Sequence, residues 1–118
     1  MKFLHKLFSS QLGNPRGFVG RLVGKILLSY GNRSASRWLL ERMRNIPARN
    51  VLEMGYGPGE TMLDYGSQHT EAAVFGVEVS KDMLQLAQAK AASRDLSDRV
   101  FPNLYDGELL PFSDHSFD

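Results

Sequence analysis

Three glycines at alternate positions, Gly55, Gly57 and Gly59, directly follow the apolar run Val51 to Met54. A turn of that composition at the end of a strand lets backbone N–H groups approach a ligand that side chains would hold away. Glu78 stands nineteen residues after Gly59, near the end of a second apolar run from Ala73 to Val79. A carboxylate at the tip of the adjacent strand can accept hydrogen bonds from both hydroxyls of a ribose. Asp106 follows a third such run, Val100 to Tyr105, and can accept from the amino group of an adenine, while Gly107 beside it leaves room for the ring.

The same turn argues against other ligands. A dinucleotide turn wants Gly-x-Gly-x-x-Gly with a pyrophosphate at the helix N-terminus, but Glu60 occupies the third fingerprint position. A carboxylate beside a diphosphate is repelled, which disfavours NAD and FAD. No Gly-Lys-Ser/Thr follows the turn, so a phosphate-cradling loop is disfavoured too. The ligand that fits carries adenosine without phosphate and has positive charge compatible with Glu53 and Glu60.

At this point the resemblance to a family becomes specific. Val51-Leu-Glu-Met-Gly-Tyr-Gly-Pro-Gly-Glu-Thr61 resembles the first motif of the class I, Rossmann-like S-adenosylmethionine-dependent methyltransferases, of the small-molecule type. Val74-Phe-Gly-Val-Glu-Val-Ser-Lys-Asp-Met-Leu84 and Tyr105-Asp-Gly-Glu-Leu-Leu-Pro-Phe112 resemble the next two motifs, in the right order and spacing. The resemblance covers roughly residues 12 to 118, and Leu109 departs from it, standing where the family often has a polar residue. It implies S-adenosyl-L-methionine as cofactor, with Glu53, Gly55, Gly57 and Gly59 along its methionine and ribose portions. It further implies Glu78 on the ribose, Asp106 and Gly107 against adenine, and Met83 lining the adenine pocket, with Lys81 and Asp82 as weaker candidates there. The implied reaction is methyl transfer to a small-molecule acceptor. No residue is assigned as a catalytic base. Two other readings stay open: a non-catalytic fragment or adenosine-binding module, and, less favoured, a nicotinamide-dependent oxidoreductase.

The elements that must position these residues follow from the hydropathy pattern. Strands at Val51 to Met54, Ala73 to Val79 and Val100 to Tyr105 alternate with helices at Thr61 to His69 and Lys81 to Arg94. That β-α-β-α-β succession predicts an α/β fold with a parallel sheet, and right-handed crossovers set the spatial order third, second, first. Pro102, which cannot donate to a ladder, suits an edge strand. Ser80 is placed to cap the second of these helices. Upstream, Phe18 to Leu27 repeats at helical spacing, and Asn32 or Ser34 can cap another amphipathic helix through Met43, stopped by Pro47. The expected division is a basic helical leader over 1–49 and an incomplete cofactor-binding unit over 50–118. Leu12 to Gly20 looks like the leader of some family members, with Arg16 and Gly17 as candidate lid residues.

Composition bounds the rest. The 118 residues are 42% hydrophobic and 23% charged, as for one globular domain, and contain no cysteine, which removes disulfides and thiolate chemistry and makes the cytoplasm the default. Residues 1–50 carry a net charge of +9 and the remainder −8. The basic segment suits solvated helix faces, with a membrane surface or a lipid-like acceptor as weaker options; no motif for reading nucleic acid accompanies it. His5, His69 and His115 match no metal spacing, so no metal is expected and each is expected to face solvent. Tyr56 can face the site or pack inward. In the family, Phe117-Asp118 begins a fourth strand that docks beside the first. The chain is therefore expected to be truncated or partial, and poorly stable and inactive alone.

Overall fold

The computed structural model describes residues 33–118. They form α1 (Arg33–Met43), β1 (Asn50–Met54), α2 (Glu60–Gln68), β2 (Ala73–Glu78), α3 (Lys81–Ser93) and β3 (Val100–Leu104). The expected upstream helix and the candidate lid residues lie outside the described residues.

The three strands are parallel in the order β1-β2-β3, so the β-α-β-α-β reading and its strand order hold. The register pairs Val51 with Val74 and Val74 with Val100, and two residues on it pairs Glu53 with Gly76 and Gly76 with Pro102. Side chains alternate along a strand, so these rows share one face of the sheet. Val74 and Val100 are fully buried there and join Leu63, Tyr65, Ala87 and Ala91 in a core built from the strands, α2 and α3. Pro102 sits on β3, an edge strand, where its missing N–H breaks no ladder bond.

On the opposite face Phe75 and Phe101 pack with ring centroids 5.1 Å apart, and Phe112 and Phe117 close edge-on over Phe75 at 5.8 and 5.6 Å. The segment after β3 thus folds back across the sheet. Its last residue reaches β1: the Asp118 N–H donates to the Asn50 carbonyl at 3.0 Å, and Asp118 Oδ2 accepts from the N–H groups of Arg49 and Asn50. Asp118 therefore lies beside β1, on the side away from β2, as expected for the start of a neighbouring strand.

Ser80 caps α3, its hydroxyl accepting from the Met83 N–H. Helix α1 already begins at Arg33, so Ser34 lies in its first turn rather than at its cap. Leu40 of α1 joins the same core, and Ser36 Oγ meets Thr61 Oγ1 at 2.7 Å. His69 departs from the expected solvent exposure. It is half-buried, stacked on Tyr65 at 3.9 Å between ring centroids, with its ring nitrogens against the Tyr65 and Arg44 carbonyls. Among the described residues no helix is long and apolar enough to cross a membrane, and no cluster of His, Asp or Glu is arranged to hold a metal ion.

Candidate functional site

The site grows out of the end of β1. The Gly55 N–H still donates to the Val77 carbonyl at 2.7 Å, after which the chain leaves the sheet through Gly55, Gly57 and Gly59, with φ of +68°, +54° and +84°. Those values fall in the left-handed region, where a side chain is strained. The three glycines nevertheless do different things. A Cβ at Gly55 or Gly57 would meet nothing within 4 Å, so both keep an opening clear. At Gly59 it would lie 3.0 Å from Ala87 Cβ and 3.2 Å from Met62 Cε, so this glycine seats α2 against α3. Gly59 is buried, and the structure puts it in the packing rather than at the opening.

Tyr56, between these glycines, packs inward. Its ring covers Gly76, where an added Cβ would come within 2.4 Å of Tyr56 Cδ1, and its hydroxyl donates to the Asn103 carbonyl at 3.3 Å. Burial, with a smaller contribution from the nearby Glu78 charge, pushes the phenol up to about 12.

Glu78 at the tip of β2 faces the turn. Its Oε2 accepts from the Gly57 N–H at 3.0 Å, and its Oε1 accepts from the N–H groups of Val79 and Ser80 at 2.8 and 3.1 Å. Three backbone donors hold the carboxylate in one orientation, and a carboxylate has acceptor capacity for about four bonds, so room remains for a ligand hydroxyl.

Glu53 lies on the helix-covered face instead. Gly59, the N-cap of α2, has no side chain to cap with, and the Glu53 carboxylate lies toward the Met62 N–H in that helix's first turn. A negative charge there suits a helix N-terminus. Its Oε2 is buried without a partner. Desolvation outweighs the pull of that N–H and raises the carboxyl from 4.5 to about 7.

Glu60 opens helix α2 directly after Gly59. It does not stand free beside the ligand opening; it pairs with Lys90 and with Arg94, the latter at 2.7 Å, and Arg94 also holds Asp64 at 2.8 Å. Burial raises the Glu60 carboxyl, but the two cations more than offset it and hold it below the usual range. Its charge is balanced inside an α2–α3 network, so repulsion of a diphosphate by Glu60 does not discriminate between cofactors.

Beyond β3, Asp106 Oδ1 accepts from the N–H groups of Glu108 and Leu109, an Asx turn that keeps the carboxyl below its usual value. Gly107 has φ +89°, and a Cβ there would lie 3.5 Å from Val79 Cγ1. Val79 and Gly107 are thus neighbours across the β2 and β3 tips. Val79 is 60% exposed and Leu109 78% exposed, so both present apolar surface at this end of the sheet. Sequence reading passed over Val79. The available signal was an apolar residue directly after the strand-tip carboxylate, a position that points outward. Met83 is half-buried at the start of α3, and Lys81 and Asp82 are exposed beside it.

A glycine turn after β1, a carboxylate at the β2 tip and an Asp-Gly pair after β3 therefore converge on one end of a parallel sheet, where such folds place ligands. The sequence pattern of the family described as "Methyltransferase domain" matches residues 51–118. The chain belongs to this family. It carries part of the class I, Rossmann-like fold of S-adenosylmethionine-dependent methyltransferases. "Ubiquinone/menaquinone biosynthesis C-methyltransferase UbiE" of Geotalea uraniireducens is 29% identical over 94 residues, covering 78% of this chain and 40% of that protein. "Methyltransferase GfsG" of Streptomyces halstedii is 36% identical over 80 residues, covering 68% of this chain and 28% of that protein. Among solved structures, the YcgJ protein of Bacillus subtilis superposes with a TM-score of 0.62 at 29% identity, over 73% of this chain and 36% of that one. The matched part of this chain spans about two fifths of the length of the UbiE relative.

Proposed function

We propose that this domain binds S-adenosyl-L-methionine at the glycine turn and serves methyl transfer to a small-molecule acceptor. The single observation that carries the reading is the Glu78 carboxylate, fixed by three backbone donors beside two glycines whose Cβ positions are open. That cradle fits the cofactor: Gly55 and Gly57 admit its methionine and ribose portions, and Glu78 retains acceptor capacity for a ribose hydroxyl. Val79 and Leu109 offer apolar cover for adenine, with Gly107 leaving space and Asp106 at its edge. Met83 is the further candidate at the start of α3. Gly59 contributes by seating α2, and Glu53 by placing a carboxylate behind the turn, toward that helix's first turn.

When bound, the cofactor supplies an electrophilic methyl on its sulfonium. The residues of this chain orient it, because displacement at that carbon depends on holding donor and acceptor in line. Glu78 anchors one end, and the apolar side chains at the strand tips exclude water from the other. That one relative is a ubiquinone/menaquinone biosynthesis C-methyltransferase supports a small molecule as acceptor.

Calorimetric titration with S-adenosylmethionine, S-adenosylhomocysteine and NAD tests the ligand, and transfer of a labelled methyl group to candidate acceptors tests the activity. Both adenosyl compounds should bind and NAD should not. Tighter binding of NAD than of either would sink the assignment.

A further inference from the structure

Helix α2 starts where the glycine turn ends, and Gly59 belongs to both. Its N–H closes the turn on the Tyr56 carbonyl at 2.9 Å, and its own carbonyl accepts from the Leu63 N–H at 3.0 Å as the helix begins. Gly57 lies between Tyr56 and Gly59, so a displacement of the first turn of α2 passes through Gly59 to the N–H that Glu78 holds. As N-cap, Gly59 gives that first turn no side-chain hydrogen bond. What fixes it must come from other elements.

Two successive residues of α2 make those attachments. Glu60 pairs with Lys90 and Arg94 on the side of α3. Thr61, about 100° further round the helix, is held from α1, with its Oγ1 2.7 Å from Ser36 Oγ. Helix α1 is itself anchored beyond this contact. Leu40 is buried in the core with Met43 against it, and just past the end of α1 the Arg44 carbonyl meets His69 Nε2 at 3.3 Å, at the end of α2. Contacts start to start and end to end mean that α1 runs beside α2 in the same direction.

We propose that Ser36 is a positioning residue for the cofactor site: α1 straps the first turn of α2 through the Ser36–Thr61 hydrogen bond, and through Gly59 this sets the shape of the glycine turn. The proposal rests on the reading of that turn as the methyl-donor site. The action of Ser36 is indirect, through Thr61.

Ser36→Ala tests the strap, by S-adenosylhomocysteine titration and by amide exchange of the ligand-free protein. Affinity should fall about threefold, the worth of a modest hydrogen bond. Exchange should quicken at Gly57 and Leu63, whose N–H groups are bonded to Glu78 and Gly59, while Val74 within the sheet is unchanged. Thr61→Val, of like shape without the hydroxyl, should match Ser36→Ala, and the double variant should lose no more than either alone. Ser36→Thr should restore the wild-type values. A lower urea midpoint with unchanged affinity and unchanged exchange at Gly57 would overturn the proposal, as would additive losses in the double variant. If the wild type binds no S-adenosylhomocysteine, the methyl-donor reading fails and the role of Ser36 toward it fails as well; binding by the wild type that Ser36→Ala leaves intact overturns the strap alone.

Discussion

The Glu78 carboxylate accepts the Gly57 N–H at 3.0 Å, joining the tip of β2 to the middle of the glycine turn. The bond spans twenty-one residues of sequence and makes one acidic side chain both a brace for the loop and an acceptor aimed at its opening. Loop geometry and ligand recognition are therefore coupled through a single carboxylate.

Replacing Glu78 with alanine should weaken S-adenosylhomocysteine binding by about 1 to 3 kcal/mol, the usual cost of losing charge-assisted hydrogen bonds. It also leaves the N–H groups of Gly57, Val79 and Ser80 without this acceptor. Glu78→Gln should restore part of the loop order with less of the affinity. Calorimetry and amide exchange at Gly57 measure the two effects separately, and an unchanged affinity in Glu78→Ala would reduce Glu78 to a loop brace.

The division among the glycines gives a second test. Gly59→Ala must fit a Cβ 3.0 Å from Ala87 Cβ at φ +84°, and should cost about 1 to 3 kcal/mol of stability through strain and overpacking. Gly55→Ala pays only the left-handed strain, about 1 to 2 kcal/mol, since its Cβ meets nothing. That same Cβ projects into the opening, so Gly55→Ala should lose more cofactor affinity for each unit of stability lost. Thermal unfolding and ligand titration on the two variants decide it.

Gly76 supports Tyr56 in the same way that Gly59 accommodates Ala87. A Cβ at Gly76 would stand 2.4 Å from Tyr56 Cδ1 and 2.7 Å from Met62 Sδ, so Gly76→Val should destabilise by about 1 to 3 kcal/mol. A second substitution, Tyr56→Ala, should recover part of that loss. Additive effects in a double-mutant cycle would show that ring and glycine are not in contact.

Glu53 predicts an unusual pH dependence. Its carboxyl titrates near 7 in the folded chain against 4.5 in a solvated reference, so between those values the folded state binds the extra proton. Its contribution to stability is fully present below about pH 4.5 and is lost as the pH rises through 7, by up to ~3 kcal/mol at 1.36 kcal/mol per pKa unit. Glu60, held down by Lys90 and Arg94, acts in the opposite sense and in a more acidic window. Glu53→Gln should therefore gain stability relative to the wild type between pH 5 and 8 and remove that slope. Urea midpoints across the range measure it, and parallel curves for the two proteins would place the titration elsewhere.

The order of elements was legible in the chain because it rests on local signals. Apolar runs of four to seven residues, helical spacing between them, glycines after β1 and Ser80 before α3 report on backbone geometry within a few residues of themselves. Right-handed crossovers then yielded the strand order, with Pro102 falling on the edge. Glu78 was legible as well, since nineteen residues of β-α-β unit return the chain to the same end of the sheet.

What the chain could not state alone is which way each side chain turns once α2 and α3 lie together. Gly59 reads as a ligand glycine until Ala87 is found against it, and Glu60 as a free charge until Lys90 and Arg94 arrive from thirty and more residues away. Tyr56 turns inward because Gly76 leaves a space for its ring, and Glu53 is drawn toward the first turn of α2 on the helix-covered face. Backbone conformation is decided by steric limits on neighbouring residues, so sequence carries it. Partnership is decided by close packing between distant segments, so only the assembled structure does.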